Sequence, residues 1–293
     1  YWQAKHIHSR DERFIVAACG RRAGKTSAMK AEIAREIVKP VQTVMGVDHA
    51  PIIYVIGPTT EASMKVWQPI WDMFVPPDSG NYLPPLGFMH ETHDKNRRFI
   101  KLINGVEIYG KTADDHIGLQ GDRVTLAVMD ESQDVREEAW GVLLPGLSDS
   151  RGRLFAIGIP KGRGPFRSYW ELGQGVDPSF YSCSVSTTSN PIFHDIAKEE
   201  GYGDDIIRYL REKEAPTLTE IEFQQSYMAQ WVEEDGQVFK NLNSVFTSKG
   251  GFAHQSNDNA MGLDIGKLLL IGLGVYVFLE LTADKRLKRY SED

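Results

Sequence analysis

The strongest constraint on the fold of this chain is a strand, a loop and a helix near the start of the sequence. The apolar run RFIVAACG at 13–20 predicts a buried strand, and GKTSAMKAEIAREIV at 24–38 has the apolar spacing of a helix. The loop between them, CGRRAGKT at 19–26, nearly matches G-x-x-x-x-G-K-[ST], with Cys19 in place of the first glycine. This order predicts an α/β core built around a phosphate-binding loop.

Further apolar runs indicate the kind of sheet to which this first strand belongs. A hairpin is predicted at 97–112 around Asn104-Gly105. Apolar strands that alternate with helical stretches indicate a mainly parallel sheet flanked by helices. We therefore predict an α/β fold of the P-loop NTPase class. The other predicted buried strands are 51–58, 125–131 and 153–160.

The loop carries groups that suit a nucleoside triphosphate and its metal ion. Backbone N–H groups and the helix N-terminus attract phosphate oxygens. Lys25 is expected on the β- and γ-phosphates and Thr26 on Mg²⁺. The predicted cofactors are therefore ATP and Mg²⁺. The residues expected around the nucleotide are Gly20, Arg21, Arg22, Ala23, Gly24, Lys25, Thr26 and Ser27.

Two adjacent acids follow the predicted strand in LAVMDES at 126–132. Asp130 is expected to hold Mg²⁺, and Glu131 to orient and polarise the attacking water. This assignment follows from the chemistry, since phosphoryl transfer depends on positioning and electrostatics.

A third motif, GIPKG at 158–162, ends another predicted strand. Sheets of this type bind ligands at the carboxyl ends of their strands, so we expect this segment near the γ-phosphate, where it would respond to hydrolysis. Lys161, with Arg163 and Arg167, forms a basic cluster that suits DNA phosphates. The residues of the motif are Gly158, Ile159, Pro160, Lys161 and Gly162.

Two further candidates lie outside these motifs. Arg123 precedes the acid-bearing strand and could reach the γ-phosphate of a neighbouring chain, with Arg21 and Arg22 as rivals for charge stabilisation. Gln3 has the donor and acceptor needed to recognise adenine, and Tyr1 or Trp2 could stack on a base.

The character of the sequence changes after residue 190. Two amphipathic helices are predicted at 204–215 and 217–235, with Thr217 and Glu220 as a capping box for the second. A polar, Gly/Ser/Asn-rich stretch then indicates a linker. The expected organisation is an ATPase core at 1–190, a helical lid at 191–240, a linker at 241–260 and the start of another domain at 261–293.

Composition limits the remaining possibilities. The net charge of −7 argues against a uniformly basic surface, although a local basic patch for nucleic acid remains compatible with it. The longest apolar run, at 268–279, is too short to span a bilayer, so no membrane partner is expected. Two cysteines, Cys19 and Cys183, are too few for a disulfide framework.

The order of these motifs resembles the large terminase subunit of tailed bacteriophages. The resemblance begins with CGRRAGKT, LAVMDES and GIPKG and continues with TTSNPIF at 187–193 and EFQQSYMAQWVEEDGQVF at 222–239. MGLDIGK at 261–267 is similar to the first strand of the family's RNase H-like nuclease. The resemblance covers roughly residues 1–267.

The resemblance implies a P-loop NTPase of the additional-strand type that drives packaging of double-stranded DNA into procapsids. It implies a homo-oligomeric ring, a portal protein and a small terminase subunit as partners, and action in the cytoplasm of the host cell. It implies that Gln3 recognises the adenine base and that Arg123 is an arginine finger that acts on a neighbouring subunit. It also implies that 158–162 is the coupling motif, which links hydrolysis to DNA movement. Asp264 would be the first metal-binding aspartate of an incomplete endonuclease that is not expected to cut.

One departure from the family pattern concerns the coupling motif, because Ile159 stands where the family usually has a hydroxyl residue. Two alternatives, a helicase and a nucleotide-dependent switch, also remain open from the sequence, and a third, a free-standing nuclease, fails on its number of carboxylates. DESQD at 130–134 is similar to the acidic motif of superfamily 1 DNA helicases, although such an enzyme needs a second nucleotide-closing domain. An ATP-dependent switch or scaffold would not need Glu131, and a free-standing nuclease would need more carboxylates.

Overall fold

The computed structural model of the chain describes residues 2–39, 42–44, 47–77 and 84–232. These residues belong to one compact unit that ends at Val232. The predicted linker and the segment 261–293, with Asp264, lie outside the described residues. Within the described ranges, no helix is long and apolar enough to cross a membrane.

Eight of the described strands form one sheet in the order β10-β1-β9-β8-β4-β7-β6-β5, while β2 and β3 pair separately. The first six strands in this order pair in parallel, and β6 and β5 extend the sheet with antiparallel pairing. The strands are β1 Phe14–Cys19, β2 Gln42–Val44, β3 Val47–His49, β4 Ile52–Gly57, β5 His90–Asp94, β6 Phe99–Leu102, β7 Glu107–Thr112, β8 Leu126–Met129, β9 Arg153–Gly158 and β10 Phe180–Val185.

Helices cover both faces of the sheet, as the sequence predicts. The α-helices are α1 Lys25–Ile37, α2 Thr60–Phe74, α3 Glu137–Asp149, α4 Pro165–Leu172, α5 Pro191–Glu199, α6 Ile206–Tyr209 and α7 Glu220–Ser226. Single turns of other helix types occur at Ala4–His8, Gly87–Met89, Ile117–Leu119, Ser132–Asp134, Thr187–Ser189 and Leu210–Glu214.

The strand β1 shows why the sequence of this sheet is continuously apolar. Ile15 and Cys19 face the cluster that includes α1 and α2, whereas Val16 and Ala18 face the cluster that includes α3 and α4. Because side chains alternate along a strand, a strand covered on both faces must be apolar at every position. The prediction of a mainly parallel, two-sided sheet is therefore confirmed.

The hairpin prediction at 97–112 is also confirmed, because β6 and β7 pair antiparallel across the Asn104-Gly105 turn. Gly105 has a φ of +84°, a conformation that favours glycine. The strands β5 and β10 were not predicted. Each lies at an edge of the sheet, where apolar patterning is weakest, and β5 is mostly exposed.

A third hydrophobic cluster lies in the region after residue 190 and includes Phe193, Tyr209, Leu210 and Phe223. α6 and the turn after it match the helix predicted at 204–215. α7 is much shorter than the helix predicted at 217–235.

The capping-box prediction of Thr217 with Glu220 was wrong by two residues. The capping box is formed by Thr219 and Glu222, whose side chains each bond the other residue's backbone N–H. A turn in which the Leu218 N–H donates to the carbonyl of Ala215 contains Thr217, so the helix begins after it.

Candidate functional site

The predicted phosphate-binding loop connects β1 to α1 and has the backbone conformation of an anion cradle. Gly24, at the start of α1, has a φ of +96°, and Arg22 also lies in the left-handed region with a φ of +56°. No side chain in the described part of the chain caps α1. The first N–H groups of this helix therefore point toward the loop, where a phosphate would accept from them.

The replacement of the first glycine by Cys19 leaves the loop intact. Cys19 is the last residue of β1, is fully buried and pairs with Val185 of β10. The adjacent position does need glycine, because a side chain at Gly20 would meet the carbonyl of Tyr227 at 2.5 Å and the hydroxyl of Thr187 at 2.6 Å. The motif thus departs from the pattern at a core position.

The two acids lie at the end of β8, across β9 from the loop. The Lys25 Nζ lies 2.9 Å from the Glu131 Oε1, and the Lys25 side chain is only 13% exposed. Glu131 has a φ of +46°, a strained conformation for a residue with a side chain. Such strain is typical of functional sites, and the Glu131 carboxylate contacts Lys25 of the loop.

The environments of the two acids push their pKa values in opposite directions. Burial raises the pKa of Asp130 to about 6, with Lys25 opposing the rise and Glu131 adding to it. Burial alone would raise the pKa of Glu131 as well. The charges of Lys25 and Arg21 and the hydrogen bonds from Lys25 and Gln133 outweigh this effect and hold the pKa below its usual value. Glu131 is thus ionised at neutral pH and suited to accept a hydrogen bond from water.

Asp130 has the features of a metal ligand. Its Oδ1 is buried and has no hydrogen-bond partner among the described residues. A buried carboxylate oxygen without a partner is costly, and a hard cation such as Mg²⁺ prefers oxygen ligands of this kind. Asp130 therefore fits the magnesium role, with Thr26 at the start of α1 as the second protein ligand expected from the loop.

Gln133 links the acids to the third motif. Its Nε2 donates to the Glu131 Oε2 at 2.8 Å, and its Oε1 accepts from the Ile159 N–H at 2.9 Å. The segment 158–162 is thereby tied to the acidic motif, while Lys161 and Gly162 are exposed. Sequence reasoning missed Gln133, although it lies within DESQD.

The segment before β1 places Gln3 against the loop. A side chain at Gly24 would approach the Gln3 Nε2 to 2.6 Å, and the Gln3 Oε1 is buried without a partner among the described groups. The suggestion that Trp2 stacks on a base was wrong. Its ring is buried, and its Nε1 donates to the carbonyl of Ala23 at 2.7 Å. Tyr1 lies outside the described residues.

Two residues after β10 and the last residue of α7 hydrogen-bond to the backbone of the phosphate-binding loop. The Thr187 Oγ1 donates to the carbonyl of Arg21 at 2.7 Å, and the Asn190 Nδ2 donates to the carbonyl of Arg22 at 2.8 Å. The Arg21 N–H donates to the carbonyl of Ser226 at 2.6 Å. We call Thr187, Asn190 and Ser226 the loop brace. The sequence offered no signal for it beyond the TTSNPIF stretch.

The remaining arginines occupy two different places. The side chains of Arg21 and Arg22 are exposed on the loop, and Arg21 is close enough to lower the pKa of Glu131. Arg123 lines a cavity of about 30 Å³ together with Ile52 and Thr125, at the amino ends of β4 and β8. The acids and the loop lie at the carboxyl ends of their strands. Arg123 therefore lies at the opposite end of the strands from the loop of its own chain.

Comparison with known proteins identifies structures of the same fold. No protein-family model and no curated protein sequence matches the chain. The Thermus phage P74-26 large terminase ATPase domain has a TM-score of 0.58 at 20% identity, over 79% of this chain and 93% of that one. The large terminase of bacteriophage HK97 has a TM-score of 0.55 at 16% identity, over 78% of this chain and 50% of that one.

The large terminase of a thermophilic bacteriophage, in complex with ATP-gamma-S, has a TM-score of 0.52 at 15% identity, over 76% of this chain and 48% of that one. This chain therefore spans about half the length of the HK97 protein and of this thermophilic phage protein. The sheet order, the loop and the flanking helices together give the chain the fold of the ATPase domain of bacteriophage large terminases.

Proposed function

We propose that this chain is the ATP-hydrolysing motor part of a large terminase and drives double-stranded viral DNA into procapsids. The observation that carries the proposal is the contact of Lys25 with Glu131, beside the buried Asp130. This contact joins the lysine that we propose to bind phosphate to the acid that we propose to activate water. The fold shared with terminase ATPase domains, and with a large terminase bound to ATP-gamma-S, supports the same conclusion.

The proposed reaction is hydrolysis of the γ-phosphate. Gln3 recognises the adenine, while the N–H groups at the start of α1 and Lys25 bind the phosphates. As Lys25 turns to the phosphates, the Oε1 of Glu131 is released and can orient a water molecule for in-line attack. Mg²⁺ held by Thr26 and Asp130 would neutralise phosphate charge.

The charge that develops on the γ-phosphate needs an arginine. Arg22 can stabilise this charge within its own chain. Arg123 can do so only in a neighbouring chain, because it lies at the opposite end of the strands from its own loop. A homo-oligomeric ring would place Arg123 of one chain at the loop of the next.

Product release would be transmitted through two connections of the site. The segment 158–162 is tied to Glu131 through Gln133, and the loop brace ties 21–22 to the helical region after residue 190. Movement of these segments would advance DNA held in the ring, with Lys161, Arg163 and Arg167 as candidate phosphate contacts. The proposed partners are the portal protein and the small terminase subunit, at the procapsid in the host cytoplasm.

The central test is Glu131→Gln in an ATPase assay with and without double-stranded DNA. We expect turnover to fall by about 100- to 10,000-fold, because the amide cannot polarise water, while binding of a fluorescent ATP analogue is preserved. The exposed Glu138→Gln on α3 is the matched control and should retain full activity. Unchanged turnover in Glu131→Gln would remove the catalytic assignment.

The ATPase assay, together with duplex-unwinding and DNA-translocation assays, separates the alternatives. A switch or scaffold would bind the analogue yet show negligible turnover in the unsubstituted protein. A helicase would hydrolyse ATP and unwind a duplex with a single-stranded tail, whereas a packaging motor would move along an intact duplex. Asp264 is the proposed first ligand of a nuclease site, and because two-metal cleavage needs several carboxylates, this chain is not expected to cut DNA.

A further inference from the structure

The amide of Gln133 makes three hydrogen bonds between two strand ends. Its Nε2 donates to the Glu131 Oε2 at 2.8 Å and to the Asp134 Oδ2 at 2.9 Å, and its Oε1 accepts from the Ile159 N–H at 2.9 Å. Gln133 lies in the turn Ser132–Asp134 that follows β8, whereas Ile159 is the first residue after β9. One side chain therefore joins the predicted catalytic acid to the predicted coupling motif.

These neighbours fix the orientation of the amide. Two carboxylates face its nitrogen and a backbone N–H faces its oxygen, so a flipped amide would lose all three hydrogen bonds. Gly158 contributes by having no side chain, because a Cβ there would collide with the Gln133 Oε1. The end of β9 is thus shaped to receive this amide.

The two oxygens of Glu131 have separate partners. Oε1 pairs with Lys25, and Oε2 accepts from Gln133. When Lys25 engages the phosphates, the hydrogen bond from Gln133 is the side-chain contact that still holds the carboxylate. Since Glu131 has a strained backbone and a side chain that is 37% exposed, its position depends on such a contact.

We propose that Gln133 is a positioning residue, which holds Glu131 in place for attack on ATP and is itself held by the N–H of Ile159. The proposal rests on the proposed ATPase function and adds a residue to its machinery. It also explains why residue 158 is glycine, since a side chain there would displace the Gln133 amide. The contact does not need a hydroxyl side chain at position 159, because the backbone N–H of Ile159 makes it.

The first test is Gln133→Met in the full chain, because methionine keeps the length of the side chain and removes its polar groups. We expect kcat to fall by about 10- to 100-fold, since a small displacement of a reacting group costs this much. KM for ATP and affinity for a fluorescent ATP analogue should stay within about twofold. Gln133→Glu, which keeps the acceptor for Ile159 and loses the donor to Glu131, should show the same loss.

The second test uses the other end of the contact. Gly158→Ala should displace the amide and lower kcat with KM unchanged. The double variant Gly158→Ala/Gln133→Met should have a kcat no lower than that of the more impaired single variant, because both substitutions act through one contact. The exposed Gln68→Met on α2, where Gln68 bonds Asp72, is the control for a glutamine outside the site.

Two results would overturn the proposal while leaving the ATPase function intact. One is an inactive Glu131→Gln beside a Gln133→Met and a Gln133→Glu that both keep kcat within twofold. The other is a change in KM alone, or additive losses in the double variant, either of which would make Gln133 a structural residue. An active Glu131→Gln would instead remove the catalytic assignment of Glu131 on which this proposal rests, and absence of ATP turnover in the unsubstituted protein would overturn the proposed function itself.

Discussion

Asp130 and Glu131 are neighbours in the sequence, yet their surroundings give them opposite acid strengths. Asp130 is buried with an unpartnered oxygen among the described residues, and its pKa is raised to about 6. Glu131 faces Lys25, and its pKa is lowered. This separation supports the proposed division of work, in which Asp130 binds a cation and Glu131 acts on water.

The raised pKa of Asp130 makes the nucleotide-free protein less stable as pH rises. An unfolded aspartate loses its proton near pH 4, whereas the folded one keeps it to about pH 6, so the unfolded state binds fewer protons between these values. Asp130→Asn should therefore gain stability relative to the unsubstituted protein as pH rises from 4 to 8, by about 2–3 kcal/mol. Denaturant unfolding at the two pH values measures this difference.

A matched substitution controls for the removal of a charge. Asp72→Asn, on the exposed face of α2, removes one carboxylate outside the site and shows the effect of charge removal alone. A pH-independent effect of Asp130→Asn would mean that Asp130 is not held in a desolvated state.

At this scale the sequence was informative where a residue type has one chemical use. The lysine of the loop and the paired acids were predicted from their residue types to share one site, and Lys25 does contact Glu131. Gln133 could not be assigned in the same way, because a glutamine is uncharged and its contact with Ile159 depends on how β8 and β9 lie in the sheet.

The loop brace is the feature of interest among the secondary-structure elements. Thr187→Val removes the hydroxyl that donates to the carbonyl of Arg21 and keeps the shape of the side chain. Loss of one such hydrogen bond should loosen the loop and raise KM for ATP by about 2- to 10-fold, with kcat little changed. Steady-state kinetics with ATP as the varied substrate measures both values.

Thr188→Val is the matched control for the loop brace. Its hydroxyl is hydrogen-bonded to that of Ser186, not to a carbonyl of the loop, among the described residues. If both valine variants raised KM equally, the effect would come from the turn as a whole, and the hydrogen bond to Arg21 would have no separate role.

The start of α7 offers a test of stability outside the site. Thr219→Ala should cost about 0.5–2 kcal/mol, because it removes the capping side chain that accepts from the Glu222 N–H. Thr217→Ala, at the exposed position that the sequence pattern favoured, should change stability by less than about 0.5 kcal/mol. Equal effects in thermal unfolding would contradict the observed start of the helix.

Most elements of the sheet were predictable, and the reason is physical. A strand covered on both faces must be apolar throughout, which made β1, β4, β8 and β9 visible as runs. The edge strands β5 and β10 and the end of α7 were missed. Their positions depend on contacts with distant parts of the chain. For example, the chain after β10 and the chain after α7 are joined by a hydrogen bond from the Thr187 N–H to the carbonyl of Tyr227.

In the molecule as a whole, Arg123 lies near the amino ends of the strands and the loop lies at their carboxyl ends. If Arg123 completes the site of a neighbour, ATPase activity per chain should rise with protein concentration, and Arg123→Ala should be inactive at every concentration. Activity that does not depend on concentration, with a normal Arg123→Ala variant, would mean that each chain hydrolyses ATP alone.

A mixing experiment makes this test sharper. Arg123→Ala chains keep Glu131, and Glu131→Gln chains keep Arg123, so mixed assemblies contain some complete sites only if the arginine acts between chains. Recovery of activity on mixing two inactive variants is therefore the expected result. Arg22→Ala serves as the comparison, because an arginine that acts within its own chain would give no recovery when mixed with Glu131→Gln.

The two cysteines have a practical consequence for observing such a motor at work. Cys19 and Cys183 are the whole cysteine content of the sequence, and both are buried. Burial raises the pKa of Cys19 well above its ordinary value and that of Cys183 to about 12, so neither forms an appreciable amount of the reactive thiolate. A single cysteine introduced on the surface should therefore accept a maleimide dye selectively, and fluorescence studies of individual molecules can begin from the natural background.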